Sequence, residues 1–188
     1  FEMNEQGLCP VSASAYFLGQ RHAAAPGSAV TCVLQGTRPL LIEVQALVSP
    51  SSFGNARRLT SGYDYNRLLL IIAVLERKVG LRLGDQDIYL NIAGGLRLDD
   101  PAADLAAAAA IVSSAVDRPL DKDTLLLGEI GLLSELRGVS QEARRLKEAA
   151  AFGFKNAICP ESRTQEKMEL RRITAADLKQ ALQILALI

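Results

Sequence analysis

A helix start is where this chain would be expected to do chemistry. Asp99-Asp100-Pro101-Ala102-Ala103-Asp104 lies between a strand-like run and a long alanine-rich stretch. Pro101 suits the first turn of a helix, and the free N–H groups of such a turn can stabilise a developing oxyanion. Catalysis there would need a nucleophile and a group to take its proton. The turn offers alanines and two carboxylates, Asp100 and Asp104. Acids in a first helical turn are expected for dipole reasons alone. Ser113 and Ser114 stand about three turns farther along, too far to use those amides. Cys9, Cys32 and Cys159 are far apart, odd in number and without a C-x-x-C pair. No zinc site is expected from them, and they suit a reducing compartment, the cytoplasm. The lone histidine, His22, lies in an alanine-rich stretch and reads as a surface residue rather than a ligand or base.

The elements that must position this turn follow from periodicity. Ser28 to Leu34 reads as a strand, and the short Gly-containing break at 35–38 makes a hairpin with Leu40 to Val48. In that second run Leu41, Glu43 and Gln45 alternate with Ile42, Val44 and Ala46, the pattern of a half-buried strand. Residues 49–62, rich in Ser, Gly and Asn, read as a loop. Asp64 caps a helix over 65–79 that Gly80 stops, and its apolar run from Leu68 to Leu75 predicts burial on more than one side. A strand over 87–92 precedes the alanine-rich helix, which runs from Pro101 to about Val116. Strands over 124–127, 156–159 and 169–173 and a helix over 141–152 follow, and Thr174 with Asp177 makes a capping-box-like start for a last helix. Hairpin and crossover connections together predict an α+β or mixed α/β fold, and the expectation is α+β with a mixed sheet and packed helices.

Composition sets bounds. The 188 residues fit one ordinary domain plus a short flanking segment, and 49% apolar content is far too high for a disordered chain. Aromatics at 5% leave the core to Leu, Ile, Val and Ala. Lys plus Arg (21) balances Asp plus Glu (21), so any nucleic-acid contact must come from a local patch. The longest apolar run is less than half the roughly 20 residues of a membrane span, and no signal peptide is recognised. Starting at Phe1, the chain reads as a domain or fragment of something longer.

In spacing and flanking residues, the turn at Pro101 and the segment from Gly128 to the helix at 141–152 resemble the active-site segments of Lon-type proteases. The segments GTRPLLIEVQALVSPSSFGNARR, GYDYNRLLLIIAVLERKVGL, DIYLNIAGGLRLDDPAADLA and LLGEIGLLSELRGV resemble the Lon-protease-like domain that ends the bacterial RadA (Sms) family of DNA repair proteins. The opening FEMNEQGL resembles the junction after that family's ATPase core. The resemblance runs over nearly the whole chain. It implies a Lon proteolytic-domain-like fold over 28–188, with 1–27 as the end of the ATPase core and a linker. It also implies that the dyad serine falls at Ala102 and the dyad lysine at Ala143, so both reactive groups are missing and a peptidase is not expected. Lys147, one turn after Ala143, has no nucleophile to activate and reads as a solvated lysine.

The same resemblance implies work in DNA repair and homologous recombination, hexameric ring assembly, and a recombinase as a further candidate partner. ATP, magnesium and zinc are implied for the full-length protein and none for this fragment, which has no G-x-x-x-x-G-K-[ST] phosphate loop. For DNA, Arg57 and Arg58 in the FGNARR loop with Arg67 in the next helix form the first basic cluster. Arg137, Arg144 and Arg145 with Lys147 form a second, and Arg171-Arg172 a third. No aromatic platform accompanies them, so backbone contact without sequence preference is expected. The alternatives are a purely structural oligomerisation module and an active serine–lysine peptidase.

Overall fold

Two short strands open the chain: Glu2–Asn4 (β1) pairs antiparallel with Gly7–Cys9 (β2). The structure, a computed structural model, describes residues 2–4, 7–9, 18, 25–51, 55–161 and 169–188. His22 lies outside them. The sheet is seeded by a hairpin of Ser28–Gln35 (β3) and Arg38–Pro50 (β4), which turns over Gly36-Thr37. Gly36 has φ +61°, the left-handed region that tight hairpin turns favour. Ile42, Val44 and Ala46 enter one apolar cluster, while Leu41 enters a second on the opposite face. Glu43 is buried as well. The strand is therefore covered on both faces in its first half, and the predicted alternation emerges only where Gln45 and Leu47 reach solvent.

The predicted loop over 49–62 is shorter than expected. β4 continues to Pro50, and Arg58–Ser61 forms an edge strand (β5) parallel to Gln86–Ile92 (β6). Between them Tyr65–Val74 (α1) starts where Asp64 accepts from the Arg67 N–H at 2.7 Å. It widens into a π-helical turn at Leu75–Val79 and ends on Gly80 at φ +88°. Leu68, Ile71, Ile72, Val74 and Leu75 are buried, but Leu69 and Ala73 are exposed. The apolar run is thus wider than the face it buries, contrary to the expectation of burial on several sides.

A 3-10 turn at Pro101–Ala103 leads into Asp104–Ala115 (α2). Residues 104–113 are all buried, which makes α2 the central helix rather than an amphipathic surface one. Its alanines allow the helix backbone to come close to the sheet. Thr124–Leu126 (β7) follows, then a small hairpin of Glu129–Ile130 (β8) and Leu136–Arg137 (β9) that the sequence does not announce. Glu142–Ala151 (α3), Asn156–Cys159 (β10), Arg171–Thr174 (β11) and Leu178–Ile184 (α4) complete the chain. Thr174 ends β11 rather than starting α4. The cap is Asp177, which accepts from the Gln180 N–H at 2.8 Å.

The seven-stranded sheet runs β11-β10-β7-β3-β4-β6-β5. Four of its six neighbouring pairs are parallel and two antiparallel. Helices interleave with the parallel strands, so the mixed sheet with packed helices is better described as mixed α/β than as segregated α+β. Helices α1, α2 and α4 pack in the first cluster. Helix α3 packs in the second through Leu146 and Ala149, together with Leu18 from the segment expected to be a linker. Because α2 has no space for larger side chains, Ala108→Leu should lower stability by about 1–3 kcal/mol in urea unfolding. An unchanged midpoint would mean that the helix is not closely packed.

Candidate functional site

The helix start at Pro101 is closed by a buried ion pair. Asp100 is extended and caps the 3-10 turn, its Oδ1 accepting from the Ala102 N–H at 3.0 Å. Its Oδ2 accepts from the Leu34 N–H of β3 at 2.9 Å and from Arg145 Nη1 of α3 at 2.7 Å. Arg145 is only 1% exposed. It also donates to Cys32 O at 2.6 Å and Ser140 O at 2.8 Å. One carboxylate and one guanidinium thus join the turn, the central strand and α3. Ala102 is enclosed in the second cluster, and its carbonyl accepts from the Gly128 N–H at 3.2 Å. Ala143 is half-buried in the first turn of α3.

The second acid, Asp104, is fully buried at the start of α2. Its oxygens accept from the Tyr63 hydroxyl at 2.7 Å, from the Ile130 N–H at 3.0 Å and from Arg67, with which it forms an ion pair. Arg67 also lies 3.5 Å from Glu129. Burial pushes the Tyr63 phenol well above its ordinary range, and the neighbouring Asp104 charge pushes it further. The hydrogen bond to Asp104 holds Arg67 more firmly protonated than a free arginine. Asp104 therefore ties α2 to α1 and to the β8–β9 hairpin. Neither acid acts merely as a helix-dipole partner, as the sequence alone suggests.

Two cavities flank the turn and share Leu98–Pro101. One, of about 640 Å³, is lined by residues including Gln35, Arg97, Asp99, Ser140 and Arg145. The other, of about 380 Å³, is lined by residues including Tyr63, Arg67, Asp104 and Glu129. Among their described lining residues the hydroxyls meet arginine or carboxylate, not a neutral amine or imidazole. Burial pushes the Cys32 thiol up to about 12, so it is an inert core group rather than a nucleophile.

The arginines singled out for DNA scatter over several elements. Arg57 is exposed beside the start of β5, and its N–H donates to Asp87 at 2.7 Å. Arg58 folds its guanidinium onto the carbonyls of Leu83 and Gln86. Arg137 is exposed but paired with Glu135. Arg144 and Lys147 are exposed on α3, whereas Arg145 on the same helix points inward. Arg67 belongs to the Asp104 cluster. Arg172 of the third cluster reaches Cys159 Sγ, the Pro160 carbonyl and Glu142. Residues 53–54 of the FGNARR loop, with residue 52 before it, fall outside the described residues. The sequence carried a faint signal of the buried pairs: Asp104 is the one acid entering an unbroken run of small apolar residues.

Removing one member of a buried pair strands the other. Arg145→Ala should therefore cost about 3–5 kcal/mol, while Asp100→Asn with Arg145→Met should recover most of that loss in denaturant unfolding. A single-variant loss below about 1 kcal/mol would refute the structural role. Tyr63 has a raised folded-state pKa, so its contribution is full below its ordinary value of 10.0 and fades as pH climbs through the folded value. Tyr63→Phe should flatten the alkaline limb of the stability profile, and an unaltered limb would argue against this coupling.

Comparison with known proteins adds family information to this geometry. A family model described as subunit ChlI of Mg-chelatase matches residues 70–163, from within α1 to past β10. The chain is 51% identical over 161 residues to the DNA repair protein RadA of Bacillus subtilis (strain 168), which is 85% of this chain and 35% of that protein. With the DNA repair protein RadA of Synechocystis (strain PCC 6803), identity is 52% over 87% of this chain and 33% of the relative. With that of Brucella abortus (strain 2308) it is 50% over 85% and 34%. The chain spans about a third of the length of these curated relatives. Matched across half of its length, the chain belongs to the family described as subunit ChlI of Mg-chelatase and is a homologue of bacterial proteins named DNA repair protein RadA.

Proposed function

We propose that this chain is the non-catalytic, Lon-protease-like domain of a bacterial DNA repair protein of the RadA kind. Residues 28–188 would form the domain, and residues 1–27 the end of an ATPase core and a linker. The observation that carries this reading is the closed helix start. Alanine stands at 102 and 143, Ala102 is enclosed, and the Asp100 carboxylate takes the N–H that an oxyanion would need. Identity of about half with proteins named for DNA repair supports the biological assignment. The matching family model is described by a chelatase subunit, and no metal-transfer chemistry is proposed from it.

In this reading the domain contributes assembly into a hexameric ring and contact with the DNA backbone without sequence preference. The whole protein would be a cytoplasmic, DNA-dependent ATPase, with a recombinase as a further partner. ATP, magnesium and zinc would be held by other parts of it. This chain has no phosphate loop, and among the described residues no group of three or more His, Cys, Asp or Glu could hold a metal. Among the described residues no helix is long and apolar enough to cross a membrane. Phosphate contact is best served by Arg144 and Lys147, less than one turn apart on α3, and by Arg57 beside β5, all with exposed side chains. A ring repeats such a patch around its axis, so a neutral chain still presents a multiplied local charge.

Titration of labelled DNA into the chain at several salt concentrations tests this contact. Arg144→Ala with Lys147→Ala should weaken binding and reduce the slope of log affinity against log salt by about 2. An unchanged slope rejects the α3 assignment, and no binding at low salt favours a purely structural module. Ala102→Ser with Ala143→Lys should release no peptide from an unfolded substrate. Peptide release by the unsubstituted chain would overturn the non-catalytic reading.

A further inference from the structure

The far end of α1 gathers cations that lie outside the three basic clusters. Arg77 and Lys78 stand on the π-helical turn at Leu75–Val79, and Arg82 follows Gly80 in the connection to β6. All three are exposed. None of them makes an ion pair or a side-chain hydrogen bond with a described residue. Other surface cations do. Arg137 pairs with Glu135, Lys155 with Asp123, and Arg144 donates to Gln141 Oε1 at 2.7 Å.

Chain geometry holds the three together. Glu76 Oε1 accepts from the Leu83 N–H at 3.2 Å, which folds the connection back against the helical turn and brings Arg82 to its side. From β5, Arg58 lays its guanidinium on the Leu83 and Gln86 carbonyls, so a fourth positive charge sits on the same bend. The acids are turned to the chain itself: Glu76 takes the Leu83 N–H and the buried Asp87 takes the Arg57 N–H. That leaves the exposed Asp85 as the remaining carboxylate of residues 76–87. Leu68, Ile71, Ile72 and Leu75 form the buried stripe of α1, and in an ordinary α-helix Lys78 would follow Ile71 and Leu75 into it. The wider turn closes from the Gly80 N–H to Leu75 O at 3.1 Å, five residues back. It keeps Val79 packed against the first cluster and leaves Lys78 in water. Attraction of cations to a helix C-terminus accounts for charges on the turn, but not for Arg82 beyond the Gly80 stop.

We propose that this corner is a second contact for the phosphodiester backbone of nucleic acid, separate from the α3 patch, an inference that rests on the DNA-contact reading above. Phosphate binding needs cations whose charge is not already neutralised within the protein, and Arg77, Lys78 and Arg82 meet that need. Arg58 adds its field from a fixed position, because carbonyls hold its guanidinium. Helix α1 packs on the first apolar cluster and α3 on the second, so the two patches lie on opposite faces of the sheet. A domain with both patches grips two backbone segments, one on each face.

The test titrates labelled duplex DNA into the chain and its variants at several salt concentrations, with circular dichroism to check that each variant is folded. Arg77→Ala with Arg82→Ala should reduce the slope of log affinity against log salt by about 2. Arg77→Lys with Arg82→Lys should keep the slope, because counterion release follows charge. Lys122→Ala with Lys155→Ala removes two exposed lysines just before β7 and β10, toward the β11 edge of the sheet, and should also keep it. Joined to Arg144→Ala with Lys147→Ala, the Arg77 and Arg82 substitutions should bring the total reduction to about 4, as separate sites add. A slope unchanged by Arg77→Ala with Arg82→Ala, or reduced equally by the lysine control, overturns this contact while leaving the DNA reading standing. No binding by the unsubstituted chain at low salt overturns the DNA reading and this contact with it. Binding to anionic phospholipid vesicles that these two substitutions abolish, with the DNA slope unchanged, assigns the corner to a membrane surface and overturns the proposal as well.

Discussion

The bond between Asp100 and Arg145 is the constraint on which the helix start depends. It unites three segments far apart in sequence: the central strand at Cys32 and Leu34, the turn at Pro101, and helix α3. Taking a guanidinium out of water is expensive unless its donors are met. Here a carboxylate and two backbone carbonyls meet them. Such an arrangement tolerates little displacement, because a shift of an ångström leaves a charge uncompensated. The pair therefore fixes how α3 sits against the sheet more strictly than the apolar contacts of Leu146 and Ala149 could.

Asp104 does the same on the other side of the turn. Between them the two acids hold Pro101–Ala103 from both flanks, and each uses its carboxylate as a hub for backbone N–H groups as well as for a cation. Functional protein sites often keep polar groups partly unsatisfied so that a ligand can complete them. Here the polar groups complete one another. In the proposed function the turn is a joint that sets the outer surfaces relative to each other, and those surfaces make the contacts.

Much of the fold was legible. The hairpin of β3 and β4, the Asp64 cap, the Gly80 stop and the alanine-rich helix all follow from local pattern, because each is decided by residues within a few positions. Strand β5 was hidden, since Arg58, Leu59, Thr60 and Ser61 lie at an edge and show no core periodicity. The β8–β9 hairpin was hidden because its strands have only two residues each. Among the basic residues, sequence could group Arg144, Arg145 and Lys147, yet adjacent positions on a helix point about 100° apart. Burial separates Arg145 from its neighbours only after a distant acid, Asp100, is brought near, and no local pattern reports that.

The alanine run of α2 has one more consequence, an entropic one. A buried leucine or methionine gives up rotamers when it enters a core, whereas alanine has none to lose. Ala106 to Ala110 therefore fill the centre of the molecule without side-chain ordering. The helix that carries Asp104 is seated by backbone proximity, with a single arrangement available at each of those five positions.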